Sequence, residues 1–120
     1  MNSPRLAANP NLTLVGRLML IEAVTFAIAS ILHLGISETF IAAAIPEAII
    51  AVVLAAGALA VMRRGSRWLG LATTIFALAG VIIGLSVIIG GYVSRPIDIA
   101  YHATILVALV VTVVLLLRSR

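Results

Sequence analysis

The sequence predicts an all-α fold, a four-helix transmembrane bundle running up-down-up-down with both termini cytoplasmic. Two observations carry that reading. Four apolar stretches, Leu18–Gly35, Pro46–Met62, Trp68–Gly91 and Ile97–Leu117, fill most of the chain. Each has roughly the 17–25 residues that a helix needs to cross a bilayer core of about 30 Å. The second observation is the arginines. If all four stretches cross, Arg5, Arg17, Arg63, Arg64, Arg67, Arg118 and Arg120 fall on one side and only Arg95 on the other. Cytoplasmic loops carry the excess of basic residues, so the arginine-rich side is read as cytoplasmic.

Composition narrows the class further. In 120 residues, 63% are hydrophobic and 10% charged, which excludes an ordinary soluble globule and leaves a single integral membrane domain over residues 1–120. No loop is long enough to fold alone, so any chemistry belongs to the bundle or to a partner. With no cysteine, the chain can form neither a disulfide nor a thiolate metal site. The net charge of +4 comes from arginine alone. At helix ends such charges anchor against anionic headgroups, and nucleic-acid binding is not expected. The expected environment is a bilayer, read as a bacterial cytoplasmic membrane, with other membrane subunits or further copies of the chain as partners.

Each element has local signals. Asn9-Pro10 is a helix start, with Asn as the cap and Pro in the first turn. The apolar part of this first helix follows Arg17, and Gly35 ends it. That apolar run is longer than the core of a cleavable signal, and no small-residue cleavage site closes it. Ser37–Ile45 reads as an outer loop, its apolar part lying on the surface or dipping in as a short helix. Pro46-Glu47 opens the second crossing, proline in the first turn and an acid near the positive end of the helix dipole. Arg63–Arg67 is a tight cytoplasmic turn. Trp68 and Tyr92 bracket the third crossing as interfacial aromatics. Ser94-Arg95-Pro96 is a second cap-like start, with Asp98 in the first turn of the fourth helix. Thr73, Ala77, Gly80 and Gly84 form a small-residue stripe on the third helix. Ala51, Ala55, Ala56, Gly57 and Ala60 supply small residues on the second. Such residues let backbones approach in lipid, where hydrophobicity alone gives no helix–helix attraction.

Few ionisable groups lie in the crossings, and each needs a reason, because a charge at membrane depth is costly. His33, Glu47 and His102 all fall within about 10 Å of the outer surface at 1.5 Å per residue. They can face one outer vestibule, with Tyr92, Arg95 and Tyr101 around it. Asp98 is one helical turn before His102, so its carboxylate can hold the imidazole. Glu22 lies in the inner half, about 16 Å from His33 on the same face. It reads either as a partner of Arg17, Arg63, Arg64 or Arg67, which is favoured, or as a proton relay towards His33.

The candidate ligand-binding residues are therefore His33, Glu47, Asp98, Tyr101 and His102. A quinone head, a haem held between His33 and His102, or a metal ion held by His33, His102 and Glu47 would each suit these groups. Interfacial hydrogen bonding without any ligand is the simplest alternative. No diagnostic spacing such as His-Glu-x-x-His selects among them, and no catalytic residue stands out. Catalysis by the chain alone is not expected.

The chain resembles the DoxX-like group of small four-helix membrane proteins from Arg17 to about Gly91. The similar features are the Arg17-Leu18 opening, the Ile45-Pro46-Glu47-Ala48 start of helix two, Gly57 within it, the arginine-bearing turn and the alanine- and glycine-rich third helix. Ile31-Leu32-His33-Leu34-Gly35 and the Tyr101-His102 pair depart from that pattern. The resemblance implies a membrane component of quinone-linked redox or oxidative-stress systems, with Glu47 lining the bundle. The expected function is a small accessory or redox-associated membrane subunit whose outer polar pocket binds a quinone-like ligand or a partner. A haem- or metal-binding protein and a purely structural subunit of a larger membrane complex are the alternatives.

Overall fold

A computed structural model describes residues 9–35, 41–90 and 96–119. These residues form four helices, α1 (Pro10–His33), α2 (Ile41–Arg64), α3 (Arg67–Ile89) and α4 (Pro96–Arg118). Each is long and apolar enough to cross a membrane. At 1.5 Å per residue each is about 35 Å long, against a hydrocarbon core of about 30 Å.

The helix ends follow from local chemistry. Asn9 caps α1, its side-chain oxygen accepting from the Asn11 amide at 3.0 Å, with Pro10 in the first turn. Gly35 follows α1 with φ 126°, a backbone that side-chain-bearing residues rarely adopt. Ser66 caps α3, and Gly65 makes the turn before it with φ 62°. Arg67, expected in that turn, instead opens α3, where its guanidinium lies 4.8 Å over the exposed Trp68 ring.

One boundary differs markedly from expectation. α2 begins at Ile41, so Pro46 lies inside the helix and not at its start. The apolar residues 41–45 join the helix, because a proline this near the N-terminus removes only the bond to the Ala42 carbonyl. The cap expected at Ser94, the aromatic anchor at Tyr92, and Arg95 lie outside the described residues.

α1 packs most extensively on α2, α2 on α3 and α3 on α4, while α1 touches α4 sparsely and α3 hardly at all. The core between them holds Val15, Met19, Phe26, Leu54, Val61, Leu109 and Leu116, each 2% exposed or less. Large apolar side chains also cover the outside; Val52 and Ile83, for example, are 70% and 66% exposed. A surface of this kind is excluded from water and suits lipid tails.

Small residues fix the close approaches. A Cβ on Gly57 would collide with the Thr73 side chain, so α2 and α3 meet backbone to hydroxyl there. Gly80 sits against Ile50 of α2, and Gly84 against His102 of α4. The small stripe on α3 therefore serves two different neighbours.

Candidate functional site

Three helices bring polar groups to one end of the bundle. His33 closes the last turn of α1, and Glu47 lies early in α2. Nδ1 of His33 and Oε2 of Glu47 are 2.7 Å apart and share a hydrogen, with both residues buried. Nearby, the Ser30 hydroxyl donates to the Ala44 carbonyl at 2.7 Å, tying the same ends of α1 and α2 together. A hydrogen-bonded pair is the form in which polar groups tolerate an apolar interior.

His102 enters from α4. Its Nδ1 lies 2.7 Å from the backbone carbonyl oxygen of Asp98. A carbonyl can only accept, so Nδ1 carries the hydrogen and Nε2 of the neutral ring is left as an acceptor. That contact corrects the expectation that the Asp98 carboxylate orients the imidazole: the main chain one turn back does so. The carboxylate stays separate, and its Oδ2 is buried with no hydrogen-bond partner among the described residues.

These groups surround one cavity of about 210 Å³. His33, Glu47, Asp98 and His102 supply its polar wall, and Phe26, Ile50, Val81 and Ile88 much of its apolar wall. Gly80 and Gly84 form the α3 side. A Cβ on Gly84 would lie 2.7 Å from His102 Nε2, so the glycine keeps open the space facing that nitrogen.

Tyr101 belongs elsewhere. Its ring meets Phe26 edge-on at 6.3 Å and His102 edge-on at 5.1 Å, and it lines a groove between α1 and α4. It acts as a partition beside the cavity and not as part of its lining. Although His33, Glu47 and His102 share the cavity, no three His, Asp or Glu side chains among the described residues cluster tightly enough to hold a metal ion.

Glu22 pairs with a hydroxyl and not with an arginine among the described residues. It is 4% exposed, and Oε1 accepts from the Thr112 hydroxyl of α4 at 2.7 Å. No arginine pairs with it among the described residues, where the ion pair present is His33–Glu47. Helix geometry explains why. At about 100° per residue, five positions turn Arg17 some 140° away from Glu22, so Arg17 is exposed while Glu22 is buried. Arg67 instead donates to the Ser119 carbonyl at 2.8 Å. No hydrogen bond among the described residues joins the Glu22–Thr112 pair to the His33–Glu47 pair, and the buried Phe26 lies between them on α1.

Thr112 is the residue that sequence reasoning missed. A threonine inside a helix usually bonds its own i−4 carbonyl, and Thr112 also lies 3.1 Å from the Ala108 oxygen, so its type gave little signal. No family model, no curated protein and no solved structure matches this chain.

Proposed function

We propose that this protein is a small accessory subunit of a bacterial cytoplasmic membrane that holds a hydroquinone-like ring in the cavity between His33, Glu47, Asp98 and His102. In this reading the helices alternate in direction, both termini are cytoplasmic and the cavity opens towards the outer leaflet. The observation that carries the proposal is the cavity itself: apolar walls with a few polar groups converging from α1, α2 and α4. Ligand sites commonly have this composition.

The polar groups favour a ligand with hydrogens to give. In the neutral ring His102 Nε2 is an acceptor, and Oδ2 of Asp98 is a buried acceptor without a protein donor among the described residues. A ring hydroxyl complements both. Size points the same way. A dry cavity of about 150 Å³ takes a benzene ring, so about 210 Å³ suits one substituted ring. A haem macrocycle would force the helices apart. The resemblance to DoxX-like proteins of quinone-linked systems supports the same ligand class.

The test is binding of a short-chain hydroquinone, decylubiquinol, to the purified protein in detergent. His102→Ala should weaken binding by roughly tenfold or more, the usual effect of losing a hydrogen bond in an apolar setting. Gly84→Leu should abolish binding by filling the space before Nε2. Unchanged binding in both variants would sink the proposal. A Soret band lost in both His33→Ala and His102→Ala would replace it with the haem reading.

A further inference from the structure

We propose that Glu22, held by the Thr112 hydroxyl, forms a second ligand site, entered from the lipid between α1 and α4, which takes an amphipathic ammonium ion. This site does not depend on the cavity beside His33 and His102.

The argument begins with an uncompensated carboxyl group. Glu22 is 4% exposed within a helix long and apolar enough to cross a membrane. One oxygen accepts the Thr112 hydroxyl, and the other is buried without a hydrogen-bond partner among the described residues. No described residue forms an ion pair with it. A carboxylate in such surroundings requires a counter-charge, and intramembrane carboxyls of this kind mark ion or substrate sites. The counter-charge here is a proton or a ligand cation, each of which excludes the other from the same oxygen.

The surroundings specify the cation. Glu22 lines a groove of about 400 Å³ between α1 and α4, the sparsest contact of α1 with a neighbour that closes the core. Ile21, Ile97, Ile105 and Ala108 give the groove an apolar surface. Thr25 and Thr104 also line it, and each donates its hydroxyl hydrogen to the carbonyl one turn back, at 2.8 Å and 2.7 Å. Their hydroxyls are therefore left as acceptors. Tyr101 lines the groove as well, its hydroxyl buried without a hydrogen-bond partner among the described residues. A site made of one carboxylate, two accepting hydroxyls, a tyrosine ring and apolar walls complements a positive nitrogen that carries hydrogen on an apolar body. It does not complement an anion, and it offers a hydrophilic metal ion too few oxygens.

A hydrophobic carbodiimide tests this directly. Dicyclohexylcarbodiimide partitions into the membrane and adds a carboxyl oxygen to its central carbon while the carboxyl hydrogen passes to nitrogen. The adduct then rearranges by an oxygen-to-nitrogen acyl shift to a stable N-acylurea that mass spectrometry locates. Glu22 in the wild-type protein should be labelled, and protonated N,N-dimethyloctylamine at about ten times its Kd should slow that labelling by roughly tenfold, because only the unoccupied fraction reacts. Octanol should not protect. Trimethyloctylammonium, equal in charge but without an N–H, should protect less. Failure to label Glu22, protection by octanol equal to that by the amine, or equal protection by the quaternary ion would each overturn the assignment. Glu22→Gln should lose both labelling and saturable amine binding, and Thr112→Val, which keeps the carboxyl, should retain labelling. Should Glu22→Gln fail to fold, the wild-type protection series decides alone.

Discussion

At the scale of single residues, the bundle pairs its ionisable groups with near neighbours in space and not with the cations that sequence distance suggests. His33 and Glu47 come from different helices yet share one hydrogen at 2.7 Å. Removing one member leaves the other buried without that partner, typically at a cost of about 1–3 kcal/mol, whereas replacing both by apolar groups is often nearly neutral. Glu47→Leu should therefore lower stability in detergent-induced unfolding by about that amount. His33→Leu/Glu47→Leu should recover much of the loss. A double variant as unstable as the two single losses added together would show that the pair is not coupled. Both histidines and three carboxylates, Glu22, Glu47 and Asp98, were visible in the sequence as groups needing a reason. Their partners were not. His102 bonds a main-chain oxygen and Glu22 a threonine hydroxyl, and neither partner type announces itself by charge.

At the scale of elements, the sequence showed all four helices because each is an apolar run of crossing length between polar turns. Three starts lie at or within one residue of a recognisable cap or proline: Pro10 after Asn9, Arg67 after Ser66, and Pro96. The start of α2 was misjudged because Pro46 mimics a first-turn proline, while the apolar residues ahead of it extend the helix to Ile41. Small residues were legible as packing positions, but not which helix each would meet. That distinction has measurable consequences. At Gly57 an added methyl meets Thr73 Oγ1, Cβ and Cγ2, and a β-branched side chain cannot swing clear. At Gly80 it meets the end of Ile50, with Cδ1 at 2.5 Å, which can rotate away. Gly57→Ala should cost about 1–3 kcal/mol. Gly80→Ala should stay near neutral, since alanine also favours the helix by up to about 1 kcal/mol. Equal melting temperatures for the two variants would contradict this account of the α2–α3 contact.

At the scale of the whole molecule, the distribution of arginine makes the strongest demand. Arg63, Arg64 and Arg67 surround the turn between α2 and α3, Arg118 ends α4, and Arg67 reaches the Ser119 carbonyl. The polar groups of the cavity come from the last turn of α1 and the first two turns of α2 and α4. Basic residues close to crossing segments are retained on the cytoplasmic side, so the proposed orientation places this end of the bundle there. Moving each arginine outward would oppose both the membrane potential and the anionic inner surface, by about 2.3 kcal/mol per charge per 100 mV for the potential alone. A phosphatase that is active only outside the membrane, fused after Arg120, should be inactive, and a cytoplasm-active reporter fused there should work. Inserting the same phosphatase near Glu38 should give activity. Replacing Arg63, Arg64 and Arg67 together by asparagine should weaken the preference and yield mixed orientation, because it removes three of the four arginines at that end within the described helices α2 to α4. Phosphatase activity after Arg120 in the unaltered chain would reverse the orientation and move the cavity to the cytoplasmic side.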